Sequence, residues 1–276
     1  VFMPPVFDYF PVTIRRDKSF AAATATASAG AGAGVGGAHS CGTLEPDTPY
    51  IYGYHPHGIY AYGLFALVFP RQSGWARIFP ASRDVVVGVA NALLNVPVCG
   101  HLFKWFGFVP ADRASLRQAL RTPRSLALIP GGIAEMLMWR RGQDVVYLRK
   151  RLGFVRLAIQ SGRSLVPVFA FGETSTFRDI MLPPLLERAR NWLSRRFRVA
   201  LVPFRGRWFS LVPFRVPITV VVGAPVRVQQ QDNPSPETVA AVHQRYIEAL
   251  QALHARHRDE LSPRVDGQPP PPLRVL

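Results

Sequence analysis

The chain has 276 residues, with 33 lysines and arginines against 17 aspartates and glutamates and a formal net charge of +16. At 48% hydrophobic residues it can bury a sizeable core, which excludes wholesale disorder, and its length suits one large domain or two small ones. Two cysteines, Cys41 and Cys99, exclude a disulfide scaffold and a four-cysteine zinc site and fit a reducing compartment.

In chain order, the sequence starts at Val1 with no methionine, basic leader or cleavage site, and reads as a fragment whose natural start lies upstream. Residues 21–42 read as a low-complexity linker or insertion, because the Ala/Gly/Thr/Ser run at 21–38 offers no side chains to a core. Strands are predicted at Tyr50–Tyr54, Ser125–Ile129, Leu165–Phe169 and Ile218–Val222, each apolar or β-branched with Gly or Pro nearby. The apolar stretches Ile59–Pro70 and Val85–Cys99 fall short of the roughly 18–20 residues a membrane span needs. Helical spacing is clear over Arg151–Gln160 and over Pro236–His257, the latter with Ser235 as N-cap and Pro236 at the first helical position. Residues 261–276 carry Gln268-Pro269-Pro270-Pro271-Pro272 and read as a disordered proline-rich tail. Strands alternating with helices predict an α/β layered fold with a mostly parallel central sheet flanked by helices.

The charge is concentrated. Residues 113–227 hold 21 basic and 5 acidic side chains, while the remainder balances at 12 of each. Such a block points to nucleic acid, a membrane surface or a phosphate-bearing substrate. Only three of the 33 cations are lysines, so a drift toward arginine accounts for part of the excess.

His55-Pro56-His57-Gly58 follows the strand at Tyr50–Tyr54. In an extended chain, imidazoles two residues apart project to one face, and Gly58 permits a sharp turn that exposes the second. Histidine titrates near neutral pH and is the natural general base for a hydroxyl. A His-Pro turn satisfied by backbone hydrogen bonds is the plain alternative, and a zinc site joining the pair to Cys99 and His101 is another. Ala38-His39-Ser40-Cys41-Gly42 looks like a nucleophile elbow, but lacks the strand before it and the helix after it.

Pro130-Gly131-Gly132 follows the strand at Ser125–Ile129, where two glycines let backbone N–H groups approach an anion; Glu135 closes the motif. That glutamate suits either an arginine ion pair or the orientation of a catalytic imidazole. Arg149, Lys150, Arg151 and Arg156 cluster at a helix start, where phosphate is also attracted. Phe171-Gly172-Glu173 ends the strand at Leu165–Phe169, and strand C-terminal ends are where open α/β sheets bind ligands.

Together these segments resemble the diacylglycerol acyltransferase type 2 family, whose members include monoacylglycerol and wax-alcohol acyltransferases. The matching pieces are Asp8-Tyr9-Phe10-Pro11, Tyr54–Gly58, Pro130–Gly132 with Glu135, Arg151–Ala158, Leu165–Val168 with Phe171–Glu173, and Val221–Pro225. The resemblance implies acyl transfer from acyl-CoA to a neutral-lipid hydroxyl, typically diacylglycerol, at the endoplasmic reticulum membrane or lipid droplet, without metal or other cofactor. It makes residues 1–20 a juxtamembrane segment, with the family's hydrophobic anchor missing, and 43–260 the catalytic domain. Homo-oligomers are compatible with it, and nucleic acid is not an expected partner.

Under this resemblance His57, or else His55, is the base, and Glu135 holds the imidazole in the right tautomer. N–H groups at Gly58, Gly131 and Gly132 receive the oxyanion. Arg113, Arg149, Lys150, Arg151 and Arg156 meet the CoA phosphates, and Glu173 is a further site residue. The sequence departs from the family pattern at Asp112-Arg113, where Ser-Arg is usual, in the run at 21–38, and at Tyr62, where the related His-x4-Asp block has its aspartate. A non-catalytic basic module binding anionic membrane or nucleic acid is the competing reading, and a lipid hydrolase is a third.

Overall fold

The computed structural model describes residues 9–17, 44, 48–69, 71, 73–79, 84–197, 200–265, 267 and 270–276. The 21–42 segment, including the 38–42 turn, lies outside them.

Seven strands form one sheet: β1 (Val12–Arg16), β2 (Ile51–His55), β3 (Val85–Val89), β4 (Phe108–Pro110), β5 (Ser125–Leu128), β7 (Leu165–Phe171) and β10 (Ile218–Val222). Their spatial order is β1-β10-β7-β2-β5-β3-β4, and only the β10–β7 pair is antiparallel. Two short ribbons complete the strands among the described residues: β6 (Val145–Val146) pairs with β11 (Arg274–Val275), and β8 (Arg178–Asp179) with β9 (Phe204–Arg205). The predicted α/β architecture is therefore what the chain adopts.

The central strands β2 and β7 are buried along their whole length, as parallel strands covered on both faces must be, so they read as continuous apolar runs. On one face Tyr52, Tyr54, Val166 and Val168 pack with Trp75 and Phe79. On the other, Ile51, Leu126, Phe169 and Val221 pack against helices α4 (Gly153–Ser161) and α6 (Pro236–Leu261). The helices α1 (Cys99–Trp105), α2 (Arg113–Ala119), α3 (Gly132–Leu137) and α5 (Pro184–Phe197) are the others of more than four residues among the described residues. Ser235 caps α6 as expected, its Oγ accepting the Thr238 N–H at 3.2 Å.

Gly53 in β2 and Gly223, just past the end of β10, are required by close approach. A Cβ on Gly53 would lie 1.9 Å from Oη of Tyr246, and one on Gly223 would lie 2.9 Å from Cγ of Pro167, whose carbonyl accepts the Gly223 N–H at 2.8 Å. Gly53→Ala is expected to destabilise the fold by about 1–3 kcal/mol through overpacking, read as a lower midpoint in urea unfolding.

The tail differs from its sequence reading. Val275 is buried, and the Leu276 carbonyl accepts N–H groups from Leu148 and Arg149. The proline run of 269–272 ends before Arg274, leaving the last residues free to pair in parallel with β6.

Candidate active site

The strand order places three chemistry-bearing segments side by side. Strands β7, β2 and β5 are adjacent and parallel, so their C-terminal ends share one edge of the sheet. His55 ends β2, Phe171-Gly172-Glu173 ends and follows β7, and Pro130-Gly131-Gly132 follows β5. Open α/β sheets bind ligands at this edge.

His55 lies wholly buried inside the β2 ladder. Its Nε2 is 3.0 Å from Oη of Tyr246, and that hydroxyl donates to the Gly53 carbonyl at 3.2 Å. With the tyrosine proton committed to Gly53, the phenolic oxygen accepts, so His55 carries its proton on Nε2. Its Nδ1 has no hydrogen-bond partner among the described residues. Burial lowers the imidazole pKa to about 3, which keeps it neutral.

His57 is partly buried. Its Nδ1 sits 3.3 Å from the Gly58 carbonyl. A carbonyl can only accept, so Nδ1 carries the proton and Nε2 presents a lone pair. Burial shifts this imidazole below its ordinary value of 6.5, against an upward pull from the Gly58 carbonyl.

Two buried glutamates hold the turn between the strand and Leu64. Glu135 Oε1 accepts the His57 main-chain N–H at 2.6 Å, and Oε2 accepts the Tyr147 N–H at 3.0 Å. Glu173 Oε1 accepts from the N–H of Tyr62 at 2.8 Å. Its Oε2 accepts from the N–H of Gly63 at 3.0 Å and from Oη of Tyr54 at 2.5 Å. Burial raises each carboxyl to about 7, opposed by these donors and, at Glu135, by the Arg151 charge.

The glycines follow from this arrangement. Gly58, at φ +60°, turns the chain where a Cβ would stand 3.1 Å from Glu173 Cγ. A Cβ on Gly131 would stand 1.9 Å from Glu135 Oε2, so this glycine makes room for the carboxylate. Gly131 is right-handed and Gly132, at φ +53°, left-handed, a combination that aims successive N–H groups at an anion.

Two expectations are corrected here. The imidazoles do not project together from an extended chain. His55 reaches across to Tyr246 while the ring of His57 turns onto its own Gly58, because the chain bends at Pro56–Gly58 after the ladder ends. Glu135 also holds His57 through the main chain, not the ring. Among the described residues no carboxylate hydrogen-bonds either imidazole; Tyr246 and the Gly58 carbonyl set the tautomers instead.

At the same sheet edge, past β5, lies a cavity of about 560 Å³. Arg113, Lys150, Arg151 and Arg156 line it above an apolar floor that includes Leu128, Ile129 and Phe154. Arg149 is not among them; its Nε donates to the Val275 carbonyl at 3.2 Å. Neither imidazole lines the cavity, but a short chain of contacts joins the two regions. Arg151 Nη2 donates to the Gly131 carbonyl at 3.3 Å, Gly131 packs on Glu135, and Glu135 holds His57.

Asp112 explains one departure from the family pattern. It is the N-cap of α2, with Oδ1 accepting the N–H groups of Ala114 and Ser115 at 3.0 Å. Serine caps helices equally well, so the exchange leaves Arg113 in place beside the cavity. The zinc alternative finds no support in the geometry. His101 is exposed on α1, and among the described residues no three His, Cys, Asp or Glu side chains are grouped to hold a metal ion.

The sequence reading missed Tyr246 and Tyr54. Tyr246 reads as one more apolar position in the α6 repeat, and only the glycine at 53, two residues before His55, hints at a bulky visitor across the sheet.

Fold and site thus define an α/β protein with a histidine turn at the parallel strand ends and a basic cavity next to it. The diacylglycerol acyltransferase family model matches residues 38–266, and the chain belongs to that family. It is 34% identical over 231 residues to diacylglycerol O-acyltransferase 2B of Umbelopsis ramanniana, covering 79% of this chain and 66% of that one. It is 35% identical over 229 residues to human 2-acylglycerol O-acyltransferase 3, with 78% and 66% covered. Human acyl-CoA wax alcohol acyltransferase 2 is 31% identical over 223 residues, with 77% and 67% covered. The chain therefore spans about two thirds of the length of these relatives. Among solved structures, the 1-acyl-sn-glycerophosphate acyltransferase of Thermotoga maritima superposes with a TM-score of 0.44 at 15% identity, covering 91% of this chain and 76% of that one. No helix among the described residues is long and apolar enough to cross a membrane.

Proposed function

We propose that the protein transfers a fatty acyl group from acyl-CoA to the hydroxyl of a neutral lipid, with diacylglycerol as the acceptor and triacylglycerol as the product. The observation that carries this reading is the histidine turn of a diacylglycerol acyltransferase family chain, fixed by two buried glutamates beside a cavity ringed by four cations. In this reading Nε2 of His57 takes the acceptor's proton as its oxygen attacks the thioester carbonyl. The oxyanion is received by N–H groups around Gly131 and Gly132, with Gly58 close by. The tetrahedral intermediate then collapses, the C–S bond breaks, and the imidazolium returns its proton to the CoA sulfur. His55 and Tyr246 act as a fixed wall behind the turn, because the His55 ring is closed to solvent. No metal or nucleotide cofactor enters these steps. The reading places the protein at the endoplasmic reticulum membrane or on lipid droplets.

Arg113, Lys150, Arg151 and Arg156 are assigned to the CoA phosphates, two of whose oxygens at a time suit the planar fork of each arginine. The double variant Arg113→Gln/Arg156→Gln is expected to raise KM for acyl-CoA by about 10-fold or more with little change in kcat, as two charge-assisted contacts are removed. An unchanged KM moves the CoA site elsewhere. A binding-only module, the second reading of the charge, keeps its affinity for anionic partners when His55 and His57 are both alanine and never turns over acyl-CoA. A hydrolase releases free fatty acid from a lipid ester without acyl-CoA.

A further inference from the structure

The fold leaves a group of large apolar side chains uncovered, far along the chain from the histidine turn. The loop 206–212 is closed on itself. Gly206 N–H donates to the Ser210 carbonyl and Arg207 N–H to the Val212 carbonyl, both at 2.7 Å. The Ser210 hydroxyl donates to the Arg207 carbonyl at 2.7 Å and accepts from the Val212 N–H at 3.0 Å. At its tip Trp208 and Phe209 have φ of 50° and 57°, a left-handed region that bulky residues rarely enter. These bonds hold the strained pair outward: Trp208 is 77% and Phe209 80% exposed, with Leu211 exposed next to them.

Arginine stacks on both rings. The Arg205 guanidinium lies 4.3 Å from the Phe209 centroid, and that of Arg207 lies 4.4 Å from Trp208. No ion pair among the described residues engages either arginine. The loop leaves the ribbon β8–β9, whose other strand runs into Met181 and α5, where Leu185, Trp192 and Phe197 are also exposed. Between Glu187 and Asp232 the sequence has nine arginines and no acidic residue.

We propose that the loop 206–212, together with the exposed face of α5, is an interfacial anchor that inserts into bilayers rich in anionic lipid. Tryptophan, phenylalanine and leucine enter the boundary between headgroups and acyl chains, while arginines stacked on the rings stay at the phosphate level. The positive excess matches an anionic leaflet, the one acid of α5, Glu187, being paired with Arg140 and Arg190. Exposed Leu211, Met181 and Leu185 favour lipid over nucleic acid, since bases stack on aromatic faces and gain nothing from aliphatic ones. The anchor is independent of acyl transfer.

The test is co-sedimentation of the 276-residue chain with vesicles of phosphatidylcholine alone or with roughly 30 mol% phosphatidylserine. The chain is expected to partition about 10-fold more strongly onto the anionic vesicles. Trp208→Ser/Phe209→Ser should lower partitioning onto both vesicle types by about 10-fold or more, through lost apolar insertion. Arg205→Gln/Arg207→Gln should remove much of the preference for phosphatidylserine while keeping the weaker binding. Circular dichroism confirms that both variants fold, as expected for exposed positions. Binding unchanged in the folded serine variant, or no preference for anionic vesicles, overturns the proposal. So does displacement of the chain from vesicles by single-stranded RNA acting through the same residues.

Discussion

His57→Ala is expected to lower acyl transfer by about 10²–10⁴-fold, the usual contribution of a positioned general base, while thermal stability stays close to that of the wild type. The expectation rests on tautomer geometry. The Gly58 carbonyl fixes the proton on Nδ1 and leaves Nε2 free to accept one. His57→Asn keeps a side-chain donor near Gly58 but offers no base, and should be as inactive as alanine. Burial lowers the His57 pKa, so the neutral base persists to lower pH than a free imidazole. The rate should therefore fall on the acid side of 6.5, not at or above it, and that limb should vanish from the residual activity of His57→Ala. Full loss in His55→Ala with activity retained in His57→Ala would move the base to the buried ring.

Glu135→Ala is expected to remove two acceptors at once, stranding the N–H groups of His57 and Tyr147. Each unsatisfied buried donor costs about 1–3 kcal/mol, so the variant should lose several degrees in Tm and most of its kcat, because the turn carrying His57 is no longer pinned. The pH dependence is distinctive. Burial raises this carboxyl in the folded state to about 7, above its ordinary 4.5. A raised carboxyl contributes stability that is fully present below its unfolded value and lost as pH rises through the folded one. The stability gap between wild type and Glu135→Ala should therefore be widest near pH 4.5 and narrow toward pH 7. A gap that widens with pH would mean that the folded protein holds the ionised carboxylate more readily than water does.

Much of this was legible from residue order alone, and the parts that were not share a physical cause. The strand at Ile218–Val222 is where its β-branched run predicts. The strand ending at His55 runs one residue past the expected Tyr50–Tyr54 span, because His55 still pairs with Phe169 in the ladder. Strand β3 was hidden within the Val85–Cys99 apolar stretch, since a buried strand shows no alternation to separate it from other buried segments, and β4, a three-residue edge strand, is too short to carry a pattern. The cation cluster was visible as a run, yet adjacent positions diverge. Arg151 faces the cavity and Gly131, whereas Arg149 is taken by the C-terminal strand.

The polar partners of the turn were the least legible. Glu135 and Glu173 stand in recognisable motifs, but their shared role as acceptors for main-chain N–H groups depends on the adjacency of β7, β2 and β5. Tyr246 meets His55 across 191 positions of sequence, and no local pattern marks it. Asp112 departs from the family pattern in sequence, yet its capping bonds to α2 do the same work as a serine would.

Acyl transfer is tested most directly by giving the protein labelled acyl-CoA with diacylglycerol, monoacylglycerol, fatty alcohol and lysophospholipid in membranes. The expected product is labelled neutral lipid, chiefly triacylglycerol, formed together with free CoA and dependent on His57. Binding of acyl-CoA with no labelled ester from any acceptor, or release of free fatty acid alone, would contradict it.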